Sequence, residues 1–76
     1  MLKTLTNTKI GLTEAQEYIG GYIERIKLPN GNVLLIDEEG RVKGLKENTA
    51  ASVLAGQHIV GKAIYLAGRT AKAGWR

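Results

Sequence analysis

The residues best suited to chemistry crowd into one short stretch, "DEEGRVKGLKENTAAS", residues 37 to 52, where seven of sixteen side chains are charged. Asp37, Glu38 and Glu39 offer three consecutive carboxylates, as a calcium loop does. An EF-hand also needs a glycine at its sixth position and a glutamate at its twelfth. Counted from Asp37 those places hold Val42 and Asn48, so the pattern reads as a solvated acidic turn and no metal is expected. "GRVKGLK" fails as a phosphate loop for a similar reason. That motif separates two glycines by four residues and follows at once with lysine and a hydroxyl. Here Gly40 and Gly44 are separated by three residues and Leu45 precedes Lys46. A weaker anion site stays open at Lys46, Asn48 and Thr49, because a helix starting there would offer free backbone N–H groups. The plainer role for Asn48 is to cap that helix.

Nucleophilic and acid–base chemistry find little support. The chain has no cysteine, Ser52 falls inside an expected helix, and His58 is the sole imidazole. A catalytic serine would need that histidine as its base. His58 reads instead as a strand-edge residue. Glu24 and Glu47 are a conceivable acid pair, but nothing in the sequence fixes their separation. No catalytic residue and no cofactor are therefore expected, and the chain is read as a non-enzyme.

Charge is unevenly distributed. Residues 1 to 57 carry seven basic and seven acidic side chains, and residues 58 to 76 add Lys62, Arg69, Lys72 and Arg76 with no acid, giving the net +4. An anionic or acidic partner would meet that end first. Trp75 lies within it, and tryptophan and arginine dominate binding hot spots. Lys62, Arg69, Lys72, Trp75 and Arg76 are accordingly the expected partner contacts. Tyr18, Tyr22 and Tyr65 read as aromatics at the edge of the core.

The elements that must position these residues are short. A chain of 76 residues holds one core, and it buries only about 60% of the surface its unfolded form exposes. With no disulfide available, good packing or self-association has to compensate. In "LTEAQEYIGG", Leu12, Ala15, Tyr18 and Ile19 recur at helical spacing. Thr13 stands three before Gln16, the capping-box interval, and Gly20 and Gly21 supply a stop. "YIERIKL" reads as a strand and "PNGN" as a turn. "VLLID" reads as a central strand paired antiparallel with residues 22 to 28. "EEGR" suggests a second turn with Gly40 left-handed, and "VKGL" a third strand. Asn48 and Gly56 bracket a helix over "TAASVLA", and "HIVGKAIYL" closes the sheet, with Ile59, Gly61, Ala63 and Tyr65 on one face. "MLKTLTNTK" suggests a first short strand.

The expected fold class is α+β: a helix, a three-stranded antiparallel meander, a second short helix and a closing strand. Residues 1–67 would form one domain and 68–76 a basic C-terminal tail. No apolar run reaches the roughly 20 residues of a membrane span, and the start lacks a signal-peptide segment. A soluble, cytoplasmic protein is expected.

"IGGYIERIKL", "VLLIDEEGRVKGLKENTAAS" and "IVGKAIYL" together resemble a family of small domains of unknown function found widely in bacteriophages and mobile elements. Members carry a "VGGYIE"-like helix end and strand, a "NEEG-KLKGLPxNxxA"-like segment and a closing "GxAxxx" strand. The resemblance spans roughly residues 15 to 66, and Lys46-Glu47 stand where the family often has proline. It implies a phage-type protein in the cytoplasm of a bacterial host, with no established activity. By analogy with other small phage proteins, the expected function is binding and inhibition of a host macromolecule, a defence effector or a transcription complex. Two alternatives stay open. One is an oligomeric small-ligand binder that sequesters a nucleotide signal at Lys46, Asn48 and Thr49; the other is a weak nucleic-acid binder using the basic tail.

Overall fold

A computed structural model of the chain describes residues 2–6 and 10–68. Its elements are β1 (Leu2–Thr6), α1 (Leu12–Ile19), β2 (Ile23–Lys27), β3 (Val33–Asp37), α2 (Thr49–Ala55) and β4 (Ala63–Ala67). The four strands form one mixed sheet in the order β1-β4-β3-β2. β2 and β3 are the expected antiparallel hairpin, with Ile23 opposite Asp37 and Lys27 opposite Val33. β4 lies antiparallel to β3, and β1 runs parallel to β4. The class is α+β, as the pattern of residues implies.

Helices lie on both faces. Successive side chains of a strand point to opposite sides, so Val33 and Leu35 pack with Ala15 and Ile19 of α1, together with Ile64 and Leu66. Leu34 points the other way and packs with Ala51 of α2, Ile59 and Ala63. This double coverage explains why "VLLID" is continuously apolar rather than alternating. β4 obeys the expected alternation, with Ala63 and Tyr65 on the α2 side and Ile64 and Leu66 on the α1 side.

The expected third strand of the meander, "VKGL", is absent. Residues 38 to 44 wind through consecutive turns instead. Their closing bonds include Lys43 N–H to Glu39 O at 2.9 Å and Leu45 N–H to Gly40 O at 3.1 Å. Val42 is 89% exposed, so the segment has no apolar face to lay against a sheet. Gly44, at φ +70°, takes a left-handed conformation incompatible with a strand. β4 occupies the place beside β3 that this strand would have taken. Gly40 is needed for a different reason from the one expected. It is not left-handed; it is buried, and a Cβ there would lie 2.9 Å from Val60 Cγ2.

The helix ends divide. Asn48 caps α2 as expected, its Oδ1 accepting from Ala51 N–H at 3.1 Å, and Gly56 ends it in the left-handed conformation. At α1 the capping box is not made. Gly11 is the N-cap, without a side-chain bond, and Thr13 lies inside the first turn. The closing strand starts later than its pattern, at Ala63, because Gly61 at φ +81° breaks the extended run. His58 therefore sits in a loop rather than on a strand edge. Tyr18 and Tyr65 are half-buried as expected, but Tyr22 is 68% exposed. Among the described residues, no helix is long and apolar enough to cross a membrane.

Candidate functional site

A groove of about 270 Å³ opens on the α2 side of the sheet, where β2, β3, the 38–44 turns and residues 57 to 60 meet. β2 contributes Glu24 and Ile26, and β3 contributes Ile36. All three point toward the α2 side because their neighbours Ile23 and Leu35 point toward α1. The floor is apolar, made of half-buried Ile26 and Ile36 and buried Ile59. The rim is charged: Glu24, Glu38, Arg41 and His58 line it, all exposed. Val42 stands at the lip.

Two sets of bonds hold the walls. Asp37, with only 1% of its side chain exposed, organises the turns. Its Oδ1 accepts from Glu39 N–H at 2.8 Å and its Oδ2 from Lys43 Nζ at 2.8 Å. Lys43 Nζ also donates to Gly20 O at 3.2 Å, tying the turns to the end of α1. Glu38 N–H reaches Tyr22 O at 3.0 Å, which extends the hairpin by one bonded pair. The opposite wall is fixed by α2. Ser52 Oγ accepts from Ile59 N–H at 2.8 Å and donates to Asn48 O at 2.8 Å, while Asn48 N–H reaches Ile59 O at 2.8 Å. Arg41 joins the two walls through Nη2 to His58 O at 3.0 Å. His58 Nδ1 lies 3.4 Å from Glu47 Oε2, both side chains about half exposed.

The rim carboxylates are differently placed from Asp37. Among the described residues, no basic side chain lies within 4.0 Å of Glu24 or Glu38. The groove can therefore take an apolar body with a cationic or hydrogen-bond-donating end. Among the described residues, no three or more His, Cys, Asp or Glu side chains cluster as a metal site would require.

The sequence-predicted residues land elsewhere. Lys62 is exposed on the α1 side, its Nζ 5.2 Å from the centroid of the Tyr18 ring. Lys3, which the sequence did not single out, approaches the same ring at 5.4 Å. Arg69, Lys72, Trp75 and Arg76 lie outside the described residues. The topology does bring Lys46, Asn48 and Thr49 to the start of α2. Asn48 is buried, however, and its amide serves the fold: Oδ1 caps the helix and Nδ2 donates to Gly61 O at 2.9 Å. Lys46 and Thr49 remain exposed beside it.

Sequence reasoning weighed Glu24 and His58 separately and missed the groove that joins them. Two signals were present. Glu24 shares a strand face with Ile26, so it puts a carboxylate on the core side of a strand, where alternation calls for an apolar residue. The other was Val42, an apolar residue alone among charges and glycines.

No curated protein and no solved structure matches the chain. A family profile does match, from residue 2 to residue 74, through both helices, all four strands and most of the basic C-terminal segment. The chain therefore belongs to the DUF3846 family, described as a domain of unknown function.

Proposed function

We propose that the chain is a phage-type, non-enzymatic binding domain that seats part of a host protein in the groove on the α2 side and modulates that protein by occlusion. A defence effector or a transcription complex is the partner class that the small-phage-protein analogy favours. The carrying observation is the groove's construction: an apolar floor of Ile26, Ile36 and Ile59 under the carboxylates of Glu24 and Glu38, which form no ion pair among the described residues, with Val42 89% exposed at the lip. An apolar centre with a polar rim is the usual anatomy of a protein contact. Its carboxylates are exposed, whereas acid–base catalysts are generally sheltered so that their proton affinity can be tuned. The volume lies just below the roughly 300 Å³ at which small-molecule clefts begin. A side chain of a larger partner fits that size better than a nucleotide does.

The test is capture from bacterial host lysate with the full chain and its Val42→Asp variant, scored for one partner that binds in fixed stoichiometry. Loss of that partner with the variant supports the reading. Equal recovery by both chains, or no stoichiometric partner with either, overturns it.

A second reading rests on the other side of the sheet. Lys3 and Lys62 bring two ammonium groups to one Tyr18 ring, with no carboxylate within 4.0 Å of either among the described residues. That arrangement suits a phosphate backbone, joined by the basic C-terminal segment. It predicts nucleic-acid binding that weakens steeply with salt; salt-insensitive or absent binding to DNA and RNA removes it.

A further inference from the structure

We infer that the groove is built for one lysine or arginine side chain of the partner, its stem on the isoleucine floor and its charged head between Glu24 and Glu38. The inference rests on the reading of this groove as a protein contact, and names the chemistry that would fill it. Long basic side chains lay their methylene stems along apolar surface while the head stays near water. Ile26, Ile36 and Ile59 supply that surface, and the exposed rim supplies the watery end.

Charge points the same way. Asp37, though among the lining residues, is matched by Lys43 at 2.8 Å and leaves no net demand. Arg41, the guanidinium on the rim, is held in position by Nη2 donating to His58 O and keeps its charge. His58 itself stands beside Glu47, Nδ1 to Oε2 at 3.4 Å. Among the described residues, Glu24 and Glu38 are the rim carboxylates without an ion-pair partner. Two carboxylates against the one Arg41 guanidinium, whose charge a neutral carbonyl does not cancel, leave the rim net negative. Glu24 lies on β2 opposite Ile36, and Glu38 is the first turn residue after β3, its N–H bonded to Tyr22 O at 3.0 Å, so the hairpin brings both to the same end of the groove. A planar guanidinium can bridge two such carboxylates, and arginine is enriched among interface anchors. A bare metal ion would use the carboxylates and leave the apolar floor unexplained.

The experiment is an amide-resolved NMR titration of the full chain with three capped peptides identical except at the centre, which is arginine, citrulline or norleucine. Citrulline keeps the shape and removes the charge; norleucine keeps only the stem. The arginine peptide is expected to shift the amides of Glu24, Ile26, Ile36 and Glu38, and the other two to bind several-fold more weakly. Glu24→Gln and Glu38→Gln are each expected to weaken the arginine peptide about two- to five-fold, the range of solvent-exposed ion pairs. Both residues are exposed, so a dispersed spectrum should persist in the variants. Equal affinity for citrulline, or shifts that map away from the groove, overturns the inference. If the full chain carrying Arg69→Ala, Lys72→Ala and Arg76→Ala shows those same amides displaced without peptide, the occupant is the chain's own basic segment, and the partner assignment falls. If the Val42→Asp variant loses its lysate partner while the arginine peptide moves none of these amides, the cationic anchor is wrong although the groove still docks a protein. Arginine binding with no Val42-dependent partner would have the opposite meaning, upholding the anchor and sinking the broader reading.

Discussion

On the α1 side of the sheet, Val33, Leu35, Ile64 and Leu66 disappear beneath Ile10, Ala15 and Ile19. On the α2 side, Ile26 and Ile36 stay half-exposed beside a helix whose one buried residue is Ala51. The strands offer both sides comparable apolar material, so the difference lies in the covering helices. α1 spans eight residues and brings Ile19 and half-buried Tyr18; α2 spans seven and offers mainly alanines to the sheet. A short helix of small residues approaches closely but covers little. What it leaves open, at the end of the hairpin, is the groove. On this comparison the α1 side is built for stability and the α2 side divides its surface between stability and contact.

The sharpest way to break that contrast is to truncate adjacent leucines that face opposite sides. Leu34 and Leu35 are both fully buried, Leu34 toward α2 and Leu35 toward α1. Each change to alanine should cost about 2–5 kcal/mol, against a total stability of roughly 4–11 kcal/mol for a domain of this length. Leu35→Ala is expected to cost more, because its surroundings are more completely filled. Urea unfolding of the two variants measures this; a larger loss for Leu34→Ala would show the α2 side to be the better packed.

Two changes at the junction of groove and α2 should have the next largest effects. Asn48→Ala removes the cap and leaves Gly61 O without its donor, for a loss of about 1–3 kcal/mol. Asn48→Asp keeps the cap acceptor and should recover part of that loss. Gly40→Ala drives a methyl to 2.9 Å from Val60 Cγ2. Overpacking of this kind costs about 1–3 kcal/mol. Val60 lines the groove, so Gly40→Ala should also displace its wall, visible as shifted amides at residues 57 to 60. Unchanged spectra there would mean that the wall yields without transmitting the strain.

Much of the scaffold was legible because its signals are local. Asn48 and Gly56 bracket α2 with a cap and a left-handed stop, and Asn30-Gly31 marks the hairpin turn, each from chemistry within a few residues. The neighbours of β4 were not legible. "HIVGKAIYL" alternates correctly whichever strand it joins, and pairing β1 parallel to β4 links residues some sixty positions apart. "VKGL" misled because an apolar residue at each end of a short run between turns resembles a strand, although Val42 and Leu45, three positions apart, would face opposite sides of one; Val42 faces solvent and only Leu45 is partly covered. The groove was hidden for a related reason. Glu24, Glu38, Arg41 and His58 converge through tertiary contacts, and a list of residue types shows only a broken alternation and a charged turn. The basic residues that drew attention instead were grouped by sequence position, yet Lys62 is held on the α1 side by Tyr18.

Smaller effects are expected where the α1 side meets solvent. Lys3→Ala and Lys62→Ala each remove one exposed cation–π contact with Tyr18, for about 0.5–1 kcal/mol. If these lysines only decorate the stable side, the double variant should lose at most about 2 kcal/mol in unfolding and keep full capture of a host partner. Loss of a partner without greater loss of stability would move the contact surface to the α1 side and reverse the comparison.

The smallest change in stability should carry the clearest functional consequence. Val42 is 89% exposed and packs against no core cluster, so Val42→Asp should alter unfolding by under about 0.5 kcal/mol. An exposed valine at the lip of an apolar-floored groove has little reason to be apolar unless something covers it. Covering it with a partner would bury its methyl groups, and an aspartate there would lose that apolar contact and be partly dehydrated. Partner capture should therefore fall at least tenfold, which corresponds to about 1.4 kcal/mol, while the unfolding midpoint stays in place. Matched losses of stability and capture would instead make Val42 a folding residue, and the groove would lose its main claim to be a contact surface.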